Sequence, residues 1–234
     1  MNNIPIESTD QLVYGNISRE YLPFLKTENE FTELKKHFID YQFPDVEETS
    51  MEINKIIDSQ KRAIENPSWE NYKKFIMACD TNFNQYFAKE LARLGFEMPI
   101  DKVVEIQNDL GALIVQLKMH YQRPRPFLFS YYTQQDLKPF SSATAQTPSY
   151  PSGHSTHAYF TAHFLGFLFP VAKDDLLKIA QRISQSREVM GLHYNSDLEF
   201  GKMIGTALTK HPKIIQKYFV IPENVVEENN EQPQ

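Results

Sequence analysis

The stretch PSGHSTHAYFTAHFLGFLFP, residues 151–170, decides how the rest of the chain is read. Pro151 cannot donate a backbone hydrogen bond but suits the start of a helix. Ser152 is a capping residue, and Gly153 lets a backbone approach a ligand closely. From Ser155 to Phe169 the residues are mostly large and apolar, and Pro170 ends the run. This predicts a buried helix with His154 at its mouth, where free N–H groups and the positive dipole end suit an oxyanion.

Outward from that helix the pattern stays helical. Asp174 is expected to cap a helix carrying Leu176, Leu177, Ile179, Ala180 and Ile183, closed by Gly191. Asn195 or Ser196 then opens a last long helix with Leu198, Met203, Ile204, Ala207 and Leu208. His193 falls in the connector and Asp197 in the first turn. Upstream, Thr27 with Glu30 and Thr49 with Glu52 have capping-box spacing ahead of apolar faces. Ser68 is expected to cap a third helix running to Gly95, and Asp101 a fourth with Val104, Leu110, Leu113, Ile114 and Leu117 on its apolar face, ended by Pro124 and Pro126. Residues 130–150 read as a long loop, a candidate lid with Tyr131, Tyr132 and Phe140 against a ligand. No strand alternation or internal repeat is evident, so the fold class is all-α, a single-domain helical bundle.

The 234 residues suffice for one substantial core. The domain is expected over 27–221, between an irregular N-terminal segment over 1–26 and a disordered acidic tail over 222–234. A single cysteine, Cys79, excludes an internal disulfide. The first ten residues lack the basic start and apolar run of a secretory signal, and the apolar window from Ala158 to Ala172 is too short to span a bilayer. A soluble, cytoplasmic protein is expected. The net charge of −6 argues against nucleic acid as a polymeric partner, so any anion must be drawn by local charge. Lys118, His120, Arg123 and Arg125 crowd together beside prolines and supply such a place.

Three segments combine. Lys118 is followed after six residues by Arg125-Pro126; Pro151-Ser152-Gly153-His154 comes next; then Ser186-Arg187, five residues, His193, three residues and Asp197. Taken one at a time these are a helix-end cation, a loop charge, a cap and a local hydrogen bond; their joint occurrence overturns those readings. The set resembles the signature of the superfamily that joins type 2 phosphatidic acid phosphatases, bacterial class A acid phosphatases and vanadium haloperoxidases, the soluble class A enzymes being nearest in character.

The resemblance implies that His193 is a nucleophile forming a phosphohistidine and that Asp197 orients it. His154 then protonates the leaving alkoxide and afterwards activates water. Lys118, Arg125, Ser152, Gly153 and Arg187 bind the phosphate. The residue types suit this: cations and preorganised donors stabilise a phosphoryl group in transfer, and a carboxylate behind an imidazole fixes its tautomer. Arg123 and His157 are rim candidates, Arg123 either lining the entrance or contacting the helix end. No metal or cofactor is required, because the three cations do the neutralising that magnesium would do; vanadate is expected as an inhibitor. The histidines need opposite protonation states, which sets a rate optimum on the acid side of neutral. The expected activity is a soluble, metal-independent hydrolysis of small phosphomonoesters or diphosphates. The alternatives are a haloperoxidase with vanadate as its prosthetic anion and a non-catalytic phosphate-binding protein. Self-association is implied by the class A resemblance, and the aromatic N-terminal segments offer a surface for it.

Overall fold

The chain folds around the helix that begins at Gly153. The computed structural model describes residues 18–219, so the expected acidic tail and residues 1–17 of the N-terminal segment lie outside the described residues. Among the described residues there are nine α-helices and no strand: α1 (Val46–Glu65), α2 (Trp69–Thr81), α3 (Asn84–Arg93), α4 (Ile100–Tyr121), α5 (Pro126–Thr133), α6 (Gly153–Leu168), α7 (Lys173–Val189), α8 (Asn195–Leu208) and α9 (Pro212–Tyr218). The architecture is all-α, and no described helix is long and apolar enough to cross a membrane.

α6 is buried on nearly every side, with Ala158, Phe160, Ala162, Phe164 and Leu165 at 1% exposure or less. α7 and α8 pack along it and α4 crosses it, which is why its sequence is apolar all round rather than on one stripe. Two glycines set the α6–α8 distance. A Cβ on Gly201 would come within 2.6 Å of the Ser152 carbonyl oxygen, and one on Gly205 within 2.6 Å of that of Thr156. At this approach the Ser152 N–H donates to the Asp197 carbonyl at 3.0 Å, so the helix mouth and the start of α8 are fixed to each other by backbone.

Several expected boundaries move. Arg19–Lys26 is a 3-10 helix against α4 rather than irregular chain. The segment after Thr27 is a short 3-10 helix, Thr32–His37, with Asn29 Oδ1 accepting from the Phe31 and Thr32 amides in place of a Thr27 cap. Asp45, not Thr49, caps α1, leaving Thr49 and Glu52 buried inside it. The expected third helix breaks at Asn82 and Phe83 into α2 and α3, and Ser68 makes no side-chain cap bond. Val104 on α4 is exposed, and Val103 and Ile106 face the core instead. Pro126 both stops one helix and starts the next: Gln122 turns left-handed at φ 54°, Arg125 is extended as a residue before proline must be, and α5 follows. The irregular loop is therefore shorter than 130–150. α7 begins at Lys173 with Ala172 in the capping position, and Tyr194 takes that position for α8.

The glycine contact is testable. Gly205→Ala should lower stability by about 1–3 kcal/mol through overpacking against α6, seen as a lower thermal midpoint by circular dichroism; an unchanged midpoint would contradict the close approach.

Candidate active site

A cavity of about 310 Å³ opens at the mouth of α6. It gathers Lys118 from the last turn of α4, Arg125 from the bend before α5, Gly153 and His154 from the first turn of α6, Arg187 from the last turn of α7, and His193 from the connector before α8. Three segments far apart in sequence thus share one wall. Ser152 and Asp197 stand behind it, fully buried. The Ser152 hydroxyl accepts from the Ser155 amide at 3.3 Å as the α6 cap, and the Gly153 backbone lies against Ile114 and Lys118.

His193 is held from both sides. Its Nδ1 lies 3.1 Å from Asp197 Oδ2, which also accepts from the Tyr194 amide at 3.0 Å. Its Nε2 lies 2.9 Å from an Arg125 Nη1. A guanidinium only donates, so Nε2 must offer a lone pair there and the ring proton sits on Nδ1, facing the carboxylate. That is the tautomer a histidine nucleophile needs. The His154 ring is tilted over Phe83 with centroids 5.7 Å apart, and its Nε2 is 3.3 Å from the Asp80 carbonyl oxygen.

The cations are fixed largely by carbonyl oxygens. Lys118 Nζ donates to Pro148 and Ser149, and Arg125 donates to Thr147 and Leu192. Arg187 pairs with a carboxylate, Asp80 Oδ1 at 2.7 Å, and its Nε has no hydrogen-bond partner among the described residues. Carbonyls carry only partial charge, so a positive field remains in the cavity. Burial and then Arg125 hold the Lys118 ammonium well below its ordinary range. Burial, then Arg125 and Lys118, keep His193 neutral. Burial and then Arg187 push His154 down as well. Asp80 is driven the other way by burial, but Ser142 and Arg187 outweigh it and bring the carboxyl down to about 2.

Two sequence expectations need correction and one gains a place. Arg123 is not at the rim: it is 1% exposed, lines no part of the cavity, and contacts Asp197, Ser196, Thr49 and Glu52. Tyr131 and Tyr132 are exposed on α5, and Phe140 packs on Trp69, so none of the three faces the cavity. His157 does line it, one turn after His154, with Nδ1 unpartnered and burial holding it down to about 4.

The sequence reading missed Asp80, Thr144 and Thr147, which line the cavity, and Glu52 behind it. Asp80 looked like any polar residue within the single helix expected to run from Ser68 to Gly95. Glu52 had been absorbed into a capping pattern, and only its burial opposite Arg123 shows its use. Tyr21 and Phe24 also line the cavity from the 3-10 helix Arg19–Lys26 and, with Phe83 and Ile114, give it apolar lining. Among the described residues no group of three His, Cys, Asp or Glu side chains is placed to hold a metal ion.

Comparison with known proteins agrees with this geometry. Residues 109–219 match the PAP2 superfamily. A non-specific acid phosphatase of Providencia stuartii is 29% identical over 114 residues, 48% of this chain and 45% of that protein. One from Salmonella typhi is 33% identical over 90 residues, 38% of this chain and 35% of its own. A lipid A 1-phosphatase of Rhizobium johnstonii is 37% identical over 97 residues, 41% of this chain and 38% of its own. The chain spans less than half the length of the curated relatives it matches. The three charged segments that converge on one cavity all lie inside the stretch, residues 109–219, that matches the PAP2 superfamily.

Proposed function

We propose that the chain hydrolyses phosphomonoesters through a phosphohistidine on His193, without a metal ion. The observation that carries this is the orientation of His193, with a lone pair on Nε2 inside a cationic cavity and its proton held on Nδ1 by Asp197. The acid phosphatases and the lipid A phosphatase among its relatives support the same reaction class.

The steps balance as follows. The phosphate oxygens take up the N–H groups of Arg125, Arg187 and Lys118 and the helix mouth at Gly153, which frees the His193 lone pair from Arg125. Nε2 forms a bond to phosphorus as the ester P–O bond breaks, and His154 gives its proton to the leaving alkoxide. Asp197 stabilises the cationic ring. Water then attacks phosphorus, His154 takes its proton, the P–N bond breaks, and phosphate leaves with His193 neutral again. The apolar lining supplied by Tyr21, Phe24 and Phe83 suits the organic part of the ester.

Turnover of p-nitrophenyl phosphate by the full chain in excess EDTA tests the reading. His193→Ala should reduce turnover to background, and Asp197→Asn should cost roughly 10³–10⁴-fold by releasing the tautomer. No turnover by the wild-type chain between roughly pH 4 and 8, or an active His193→Ala variant, would overturn the reading.

The pH profile has a defined sign. His154 must carry a proton and its pKa is lowered, so its active form declines as pH rises; Lys118 loses charge in the same direction. The free-enzyme profile, kcat/KM, should therefore peak below about 6.5 and fall toward alkali. A peak above neutrality would exclude His154 as the acid.

Stability follows the same groups. His154, His157 and His193 have lowered pKa values when folded, so below about 6.5 the unfolded chain binds more protons and stability is lost as pH falls. The thermal midpoint should drop between about pH 7 and 5, and inorganic phosphate or orthovanadate should raise it at the acid end by pairing with the protonated site. A midpoint indifferent to both anions would argue against an oxyanion site.

A further inference from the structure

Behind the cavity lies a buried ionic cluster that takes no direct part in the proposed phosphoryl transfer. Arg123 Nη1 donates to Asp197 Oδ1 at 2.7 Å and to Ser196 Oγ at 2.7 Å. Its Nη2 donates to Glu52 Oε2 at 2.9 Å and to Thr49 Oγ1 at 3.3 Å. The guanidinium lies 3.9 Å from the Tyr194 ring centroid, with Phe43 at 5.1 Å and Tyr150 at 5.8 Å. Glu52 is itself anchored by the Ser196 amide at 2.7 Å and hydroxyl at 2.8 Å. A continuous line of contacts therefore runs from α1 through Arg123 and Asp197 to the imidazole facing the cavity.

We propose that Arg123 is a positioning residue that keeps Asp197 ionised and so places the His193 proton on Nδ1. This rests on the reading of His193 as nucleophile. Asp197 has 0% exposure, and a carboxylate without water survives only beside compensating charge and hydrogen bonds. One oxygen is occupied by His193 and the Tyr194 amide; the other faces Arg123. If Asp197 took a proton it would become a donor toward the ring, Nδ1 would have to accept, and the ring proton would move to Nε2. There it would oppose the Arg125 N–H and remove the lone pair aimed at phosphorus.

The other charged or titratable groups facing Asp197 divide. Lys118 from α4 favours its ionised form, whereas Glu52 from α1 opposes it; Tyr150 from the loop before α6 and His193 and Tyr194 from its own connector complete the set. Arg123 is the one cation in contact with the carboxylate. A cross-link that only tied α1 to α8 would have no reason to end on the oxygen opposite the nucleophile's partner.

The experiment compares Arg123→Gln, Arg123→Lys, Asp197→Asn and the Arg123→Gln/Asp197→Asn double variant in the full chain, each checked for folding by circular dichroism. Two-bond proton–nitrogen NMR on histidine-labelled protein near pH 7 reads the tautomer directly, with His193→Ala giving the assignment. Wild type should show His193 protonated on Nδ1, and Arg123→Gln should shift it toward Nε2. In kcat/KM for p-nitrophenyl phosphate, Arg123→Gln should move the acid limb upward by about one pH unit or more, a tenfold loss or greater near pH 5 that shrinks near pH 8. Arg123→Lys should keep the limb within about half a unit, and Arg123→Gln should cost less than about threefold once Asp197 is Asn. The same fractional loss at every pH, with an unchanged tautomer, would make Arg123 a helix tie and overturn the proposal. If Arg123→Gln does not fold, Glu52→Gln serves: it removes a charge that opposes Asp197 ionisation, so the acid limb should move down, and an upward or uniform change overturns the proposal. The NMR arm needs no turnover, so an inactive wild type would sink the hydrolase reading while leaving the proton placement separately decided.

Discussion

Burying Lys118, Arg125 and Arg187 around one small cavity is the constraint on which the rest of this structure depends. Removing three cations from water is unfavourable unless hydrogen bonds and counter-charge replace the lost hydration. The chain supplies carbonyl oxygens from Thr147, Pro148, Ser149 and Leu192, and one carboxylate, Asp80. These fix the cations in place without matching their charge. Burial first, and then the remaining field, depresses the pKa values of Lys118 and His193, and on the proposed reading the same imbalance that opposes folding draws an oxyanion.

Such a site needs a scaffold that cannot relax around it. The α6–α8 contact provides part of this, because the Ser152 and Asp197 backbones are joined directly where glycine allows the helices to touch. Proline supplies another part. Pro124 and Pro126 turn the chain between α4 and α5, so Arg123 points back toward Asp197 while Arg125 reaches His193. Two arginines only two residues apart therefore contact opposite ends of the His193–Asp197 pair.

The helices and the converging segments were legible because both have local signatures. A run apolar all round from Ala158 to Leu168 can only be a buried helix, and the spacing of Ser186, Arg187, His193 and Asp197 was sufficient to place a connector and a first turn. What remained hidden depended on which surfaces meet. Thr49 and Glu52 have capping spacing whether or not they cap; Asp45 occupies the position, and burial opposite Arg123 gives Glu52 its role. Asp80 reaches Arg187 because the chain breaks at Asn82 and Phe83, a break that the uninterrupted aromatic pattern concealed. Arg123 reads in sequence as lining the entrance or contacting the helix end, and nothing local could reveal the aromatic enclosure formed by Phe43, Tyr150 and Tyr194.

His154 and His193 face one difficulty, since both are desolvated beside cations and both are neutral by preference. For His193 that preference is useful, because only the neutral ring has a lone pair. For His154 it is an obstacle, because an acid must first hold a proton. A phosphate dianion resolves the conflict unequally. Its charge offsets the field of Arg187 on His154 and raises that group's proton affinity, while Arg125 moves its N–H from His193 Nε2 to a phosphate oxygen and exposes the lone pair. Asp197 contacts His193 and not His154, so the carboxylate acts on His193 alone of the two. On the proposed reading, the substrate's own charge therefore completes the acid while the protein's buried carboxylate prepares the base, and identical side chains acquire different tasks from their unequal surroundings.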